Sequence, residues 1–502
     1  MSLKRNILAS YISQIYVTLI GIVMVPLYVK HMGVEAYGLI GFYAMLQAWF
    51  MLLDMGLTPT MARETARYKG GAIDAISLRR LLRVLEGIFI SVALLGAIAI
   101  IAGAGSIASK WLKVQHLPLE EVQRAIMMMA IIIALRWICG LYRGVVNGFE
   151  RMVWLSGYNI SMATFRFVLV VPFLIYVGHS PTVFFSYQLA IALIEVTLLV
   201  TQTYRLLPRV AADQRTPWEW EPLRRVLKFS LSISLAVMMY LLGTQADKMV
   251  LSNLLTLTDY AYFTLAVLVA SSVVIISSPI SGALVPRLTK LNAEGNEVEL
   301  IRLYRNSTQV VGVIAIPVML VLVFFTEQVL WIWTGNAEIV SKAKPILVLY
   351  ALANGIQIMG ASTYYLQSAK GDLKLHMIGT GLYSILLIPA VIWGTLNYGA
   401  IGAGYACMAL NAAYFIFWVP KIHGRFVKNL HAQWLLHDVM GIFMFSMIAA
   451  FVMKMFMVWP TTRLDMSIAI AMIGLLLCGV AATSSSYMRY LIIGKWNKRF
   501  AR

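Results

Sequence analysis

Two arginines and a glutamate stand deep inside segments that are otherwise almost wholly apolar: Arg136 in Val122–Tyr142, Arg166 in Met152–Val177 and Glu195 in Val183–Tyr204. Asp247 and Lys248 sit side by side in Phe229–Ser252, Lys454 lies in Val439–Val458, and Asp54 stands near the end of Tyr37–Thr58. An ionised side chain at the centre of a bilayer costs roughly 2.5–3.5 kcal/mol on insertion scales, so such groups face a polar cavity or a partner. Two fixed cations, Arg136 and Arg166, would make an electropositive cavity for an anionic headgroup such as pyrophosphate, which guanidinium binds in a bidentate fork. A structural reading stands beside this one: Arg136, Arg166 and Glu195 neutralise one another and hold their helices together. Glu195 is also the best placed carboxylate to titrate or to couple transport to a cation. Adjacent residues point to different helix faces, so Lys248 reaches a cavity while Asp247 pairs elsewhere, or both serve the outer membrane interface. Lys454 lies near the outer end of its segment and is expected to snorkel.

These charges need long apolar elements to carry them, and the chain supplies little else. Hydrophobic residues make up 60% of its 502 residues, and mean hydropathy is +0.78. In hydrocarbon every backbone N–H and C=O must be satisfied within its own segment or within a closed barrel. A helix of about 20 apolar residues crosses the core, whereas barrel strands would alternate over about 10 residues, and no such alternation is present. About fourteen spans follow. They lie near Ile7–Tyr28, Tyr37–Thr58, Val84–Ile107, Val122–Tyr142, Met152–Val177, Val183–Tyr204 and Phe229–Ser252 in the first part of the chain. In the second part they lie near Ala261–Leu284, Val310–Phe325, Pro345–Leu366, Met377–Leu396, Ala400–Val419, Val439–Val458 and Met466–Thr483. The expected class is an all-α integral membrane protein.

Lys and Arg gather in every second gap. The gaps on the side of Lys4 and Arg5 hold thirty of them; the opposite gaps hold only Lys30, Lys110, Lys113, Arg124, Lys342, Lys344 and Arg463. That asymmetry places the basic side, and with it both termini, in the cytoplasm. The net charge of +19 is thereby assigned to loops facing anionic lipid, at about 1 kcal/mol per residue, and nucleic acid is not an expected partner. Cys139, Cys407 and Cys478 all fall inside spans and have no metal-ligand spacing. The first segment is long and lacks a small-residue cleavage site, so it reads as a retained helix. Asp54-Met55-Gly56-Leu57-Thr58-Pro59 ends the second span, where Asp54 caps the turn or pairs with Arg63.

A weak duplication divides the chain. Leu78–Arg83 resembles Leu300–Arg305, Glu35–Tyr37 resembles Asp259–Ala261, Met61–Arg63 resembles Val285–Arg287, and Tyr142–Gly148 with Arg151 resembles Tyr365–Gly371 with Lys374, all at an offset of about 222–224 residues. Six spans per repeat give both copies one orientation, related by an axis along the membrane normal. The expected organisation is an N-lobe over 1–206 and a basic interlobe loop over 207–228 whose Leu223–Lys228 forms an amphipathic helix. A C-lobe over 229–420 follows, and 421–502 holds two extra spans and a basic tail. Two such lobes suit alternating access. There is no P-loop signature and no H-E-x-x-H or Cys/His cluster, and the gaps opposite the basic side are too short for a catalytic domain. An enzyme is not expected, and neither a metal nor a cofactor is called for.

Glu35-Ala36-Tyr37-Gly38-Leu39, Leu53-Asp54-Met55-Gly56-Leu57-Thr58-Pro59 and Ala62-Arg63-Glu64 resemble the bacterial polysaccharide and O-antigen flippases, the Wzx-like transporters. Asp247-Lys248-Met249-Val250-Leu251 and Asp259–Ala266 resemble the opening of that family's second lobe. The resemblance implies the multidrug/oligosaccharidyl-lipid/polysaccharide exporter fold in the bacterial cytoplasmic membrane, with two lobes around a cationic central cavity. It implies a polyprenyl-pyrophosphate-linked oligosaccharide as substrate, moved to the periplasmic leaflet, with H⁺ or Na⁺ and other polysaccharide assembly proteins as further partners. Arg136, Arg166 and Lys248 are then the substrate-binding candidates, with Glu195, Asp247 and Asp54 as coupling or ion-pair candidates. The alternatives are a cation-coupled drug exporter, a lipid II flippase of the same superfamily, and a membrane scaffold without transport activity.

Overall fold

A computed structural model describes residues 3–208, 238–239 and 241–491. Among them every regular element is helical, with one isolated bridge between Lys113 and Thr256. Twelve helical stretches among the described residues are long and apolar enough to cross a membrane. This is a multi-pass integral membrane protein.

The chain packs as two units, Met1–Ala261 and Tyr262–Arg502. The first holds α1 (Leu3–Val23), α2 (Val25–Met32), α3 (Val34–Phe50), α4 (Leu57–Lys69), α5 (Ala75–Ser106), α6 (Leu119–Gly148), α7 (Met152–Ala163), α8 (Val170–Tyr176) and α9 (Pro181–Leu206). A tenth helix, α10, covers residues 241–254. Lipid tails are as apolar as leucine, so close packing and polar contacts hold these helices together rather than burial from water. Gly140, Gly144 and Gly148 recur every fourth residue on α6 and let α4 come within backbone contact. A Cβ on Gly144 would lie 2.7 Å from Thr58 O, and one on Gly148 2.5 Å from Ala62 O. Asp54 accepts from Thr58 N (3.3 Å) and from Thr58 Oγ1 (2.6 Å), capping α4 after the left-handed pair Met55 and Gly56. Of the two roles open to Asp54 in the sequence, the cap is the one seen here.

The amphipathic interlobe segment Leu223–Lys228 and the first part of the seventh expected span lie outside the described residues. The repeat assigns α10 to the second lobe, yet by packing it belongs with the first unit. The loop after α5 explains why: Trp111 Nε1 donates to Ser252 Oγ (3.0 Å), Lys113 Nζ to Leu254 O (2.7 Å), and Leu257 N to Lys113 O (3.0 Å). Glu35 anchors the same loop by accepting from the backbone N–H groups of Gln115, His116 and Leu117 at 2.5–3.0 Å.

The second unit runs from within α11 (Leu257–Ala270) through α12 (Ser272–Ala293), α13 (Glu297–Phe324), α14 (Thr326–Thr334), α15 (Ala337–Lys370) and α16 (Lys374–Ala413). It ends with α17 (Val419–Phe426), α18 (Leu430–Gln433), α19 (Gly441–Phe456) and α20 (Arg463–Ser484). The stretch Lys374–Phe426 is 53 residues long, over twice what a bilayer needs. Gly399, at φ 58° and ψ −144°, breaks it. Gly394 and Gly402 then meet backbone to backbone, since a Cβ on Gly394 would lie 2.5 Å from Gly402 O. That is a tight helical hairpin, folded where the spans Met377–Leu396 and Ala400–Val419 were expected to meet. With that stretch counted as two crossings and the seventh expected span lying partly outside the described residues, twelve apolar stretches are compatible with fourteen crossings.

Candidate functional site

Three of the intramembrane charges, Arg136, Arg166 and Glu195, converge. α6 carries Arg136, and α9 carries Gln188 and Glu195, about two turns apart. A π-helical turn at Thr164–Val168, between α7 and α8, carries Arg166. Pro172 has no N–H to give to the carbonyl of residue 168, which loosens the backbone there. π-turns of this kind recur at functional sites. Side chains hold the carbonyls of this turn: Tyr187 OH donates to Phe165 O (2.8 Å), Gln188 Nε2 to Arg166 O (2.9 Å) and Tyr28 OH to Phe167 O (2.6 Å).

Every nitrogen of the Arg136 guanidinium has a partner. Nε donates to Glu195 Oε2 (3.2 Å), Nη1 to Tyr43 OH (2.5 Å) and Nη2 to Gln188 Oε1 (2.9 Å), and its side chain is only 7% exposed. Glu195, 3% exposed, shares its second oxygen with Arg166 Nε at 3.3 Å. That contact is too poorly aligned for a hydrogen bond. Arg166 stacks on Phe167, 5.2 Å from the ring centroid, and is 21% exposed. Among the described residues, neither of its Nη groups has a hydrogen-bond partner.

Those free donors border a cavity of about 420 Å³ between α1 and α7, lined by Ser10, Ser13, Gln14, Arg143, Asn159 and Arg166 among others. Arg143, counted in the sequence among the charges of the basic loops, lies on α6 and belongs to this wall. It gives one hydrogen bond, Nη1 to Asn159 Oδ1 (2.6 Å), and stacks over Tyr158 at 5.2 Å. Its signal was the spacing: Arg136 to Arg143 and Asn159 to Arg166 are both i, i+7, which keeps each pair on one helix face. Two guanidinium groups thus meet one carboxylate, and a third, that of Arg143, lines the adjoining cavity. An excess of positive charge inside a membrane is costly, and an anion placed against the unpaired Nη donors would offset it.

The other candidates lie elsewhere. Lys248 Nζ donates to Thr244 O (3.1 Å) and Gln245 Oε1 (2.9 Å) on its own helix. Asp247 is buried and accepts from Lys248 N (2.8 Å). Lys454 stands over the Phe324 ring at 5.7 Å. Among the described residues no group of three or more His, Cys, Asp or Glu is arranged to hold a metal.

The family profiles that the chain matches, together with its fold, identify a class, the multidrug/oligosaccharidyl-lipid/polysaccharide exporter superfamily of flippases and exporters. Within it, the chain belongs to the polysaccharide biosynthesis protein family, whose profile matches residues 3–292. The MatE profile matches residues 232–393. No curated protein sequence matches the chain significantly. Among solved structures it is similar to a lipid II flippase, MurJ, in an inward closed conformation, at 17% identity over 97% of this chain and 99% of that one, with a TM-score of 0.72. It is also similar to a multidrug resistance transporter of the MATE family in an inward-facing conformation (14% identity, 83% of this chain and 98% of that one, TM-score 0.64). A superfamily transporter from Pyrococcus furiosus, described as having a binding pocket of reverse polarity, matches at 14% identity over 84% of this chain and 96% of that one, with a TM-score of 0.54.

Proposed function

We propose that the protein is a flippase that carries a polyprenyl-pyrophosphate-linked oligosaccharide from the cytoplasmic to the periplasmic leaflet of a bacterial cytoplasmic membrane, for the assembly of O-antigen or another surface polysaccharide. The observation that carries this reading is the pair of arginines, Arg166 and Arg143, with unspent donors on the wall of a cavity that polar and apolar side chains line together. A pyrophosphate supplies what the cluster lacks, namely negative charge and oxygen acceptors spaced for two guanidinium forks. Polar groups such as Ser10, Gln14 and Asn159 suit sugar hydroxyls, and the polyprenyl tail stays in lipid. Arg136 positions Glu195 and Gln188, and through them Arg166.

Lipid II is a second reading. The match to a lipid II flippase over nearly the full length of both chains favours it, and it offers the same headgroup chemistry. A carrier of cationic drugs fits less well, because three cations to one acid is the wrong balance.

The test is reconstitution into liposomes holding a polyprenyl-pyrophosphate oligosaccharide or lipid II in one leaflet, with lectin or enzyme access read on the other. Charge-assisted hydrogen bonds are worth about 1.5–3 kcal/mol, so Arg166→Ala is expected to slow flipping by about 10- to 100-fold. Flipping of both lipids at the wild-type rate by Arg166→Ala and Arg143→Ala would sink the proposal. The relative rates on the two lipids decide between the readings.

A further inference from the structure

A second cavity, of about 280 Å³, opens at the face that carries the basic loops. It is lined by Asn6, Lys69, Phe149, Glu150, Arg151 and Leu206. None of these residues was singled out in the sequence as part of a site. Two features mark the cavity as a ligand site rather than a surface dent. The buried Oδ1 of Asn6 accepts no hydrogen bond among the described residues. The guanidinium of Arg151, exposed at the start of α7, has no hydrogen-bond or ion-pair partner among them either.

The same helix faces lead from this cavity to the buried one. On α1, Asn6 lines the outer cavity, and Ser10, Ser13, Gln14, Val17 and Thr18 line the inner one. The intervals of 4, 7, 8, 11 and 12 residues keep all six on one helical face. Opposite them, Arg151 begins the run that Ser156 and Asn159 continue and Arg166 ends, with Arg143 alongside. At 1.5 Å per residue, Asn6 to Thr18 and Arg151 to Arg166 each span about 20 Å, some two thirds of the hydrocarbon core. Positive charge is therefore available at the mouth, part-way down and at depth, with small polar side chains between.

We infer that the outer cavity is a loading station for the phosphoester headgroup, from which it is handed along the α1–α7 seam to Arg143 and Arg166; this rests on the function proposed above. Arg151 and Asn6 receive the headgroup. Glu150 restrains the station, because its carboxylate, on a residue in left-handed conformation (φ 57°), already holds Lys69 in an ion pair. An incoming phosphate displaces that carboxylate and takes over Lys69.

The experiment uses the full-length protein in phosphatidylcholine nanodiscs, with geranyl diphosphate as the probe and association and dissociation rates measured separately. Arg151→Ala is expected to slow association about 10-fold and to leave dissociation unchanged. Glu150→Gln is expected to speed association several-fold, a gain that a folding defect would not produce. Arg166→Ala is expected to speed dissociation instead. If Arg151→Ala, Asn6→Ala and Glu150→Gln all associate at the wild-type rate while Arg166→Ala binds weakly, the station is wrong and the buried site stands. If an Arg143→Ala/Arg166→Ala double variant binds like the wild type, the underlying function falls. Addition of phosphatidylglycerol to the nanodiscs tests the other source of phosphate. An Arg151 effect that vanishes with it would assign the outer cavity to bulk lipid and overturn the inference.

Discussion

Both packing units bury an arginine–carboxylate pair between helices, and the two pairs are built to opposite ends. In the second unit Arg305 grips Asp438 through Nε (2.6 Å) and Nη2 (3.2 Å), one cation to one anion. Gln309 Nε2 gives Asp438 a further bond (2.7 Å), and Gln309 Oε1 accepts from Ser485 Oγ (2.6 Å) and Tyr487 N (3.0 Å). Beside them Tyr304 OH meets His423 Nε2 at 2.7 Å, His423 Nδ1 meets His431 Nδ1 at 3.0 Å, and Trp434 Nε1 donates to Thr308 Oγ1 (3.1 Å). Charge balances, every guanidinium nitrogen of Arg305 has a partner, and the network fastens the turn before α19 and the residues after α20 to α13. In the first unit Arg136 alone is spent in this way. Arg166 and Arg143 keep free donors, charge does not balance, and a cavity adjoins. Buried charge by itself is thus no mark of function. Imbalance beside open space is.

The sharpest break of this comparison is Asp438→Ala. Removal of one partner from a buried pair costs about 3–5 kcal/mol, so the melting temperature of the purified protein is expected to fall steeply, while each surviving molecule flips lipid normally. Arg166→Ala should do the reverse: flipping falls by the 10- to 100-fold given above, with little change in melting, because Glu195 keeps Arg136. Equal effects of the two substitutions on both readouts would erase the distinction. Gly148→Ala comes next, since its methyl would meet Ala62 O and Thr65 Cβ at 2.5 Å. Overpacking of that order costs about 1–3 kcal/mol, to be read in melting temperature without a change in headgroup affinity. The smallest effect belongs to an exposed pair. Arg425 holds the Asp372 carboxyl below its ordinary value. A lowered carboxylate pKa contributes stability above the ordinary value, near 3.8, and loses it as pH falls through the folded one. The wild type should therefore lose slightly more stability than Arg425→Ala on acidification below about pH 4, and 0.5 M salt should remove the difference.

Much of this was legible along the chain. Arg136, Arg166 and Glu195 stood out because ionised side chains are rare in apolar windows, and their mutual pairing was one of the two readings they allowed. The hairpin at Gly399 was legible as two adjacent spans, because hydropathy needs only neighbours in sequence. Arg143 was harder: it sits close to the basic loops, and only its i, i+7 relation to Arg136 tied it to the site. Lys248 shows the opposite case, a buried-looking cation whose own helix supplies its partners one turn back.

The amino-acid sequence by itself determined the solvent, the helical class, the alternation of basic gaps and the identity of the intramembrane charges. Each follows from composition within about 20 residues and from the bilayer's demand that backbone groups be satisfied locally. Tertiary structure decided which charges are spent. Tyr43, Arg136, Arg166, Gln188 and Glu195 meet from four separate helical segments, and whether a guanidinium has free donors depends on angles and distances among them. No local pattern encodes that, because a hydrogen bond is directional and its partner is distant in sequence.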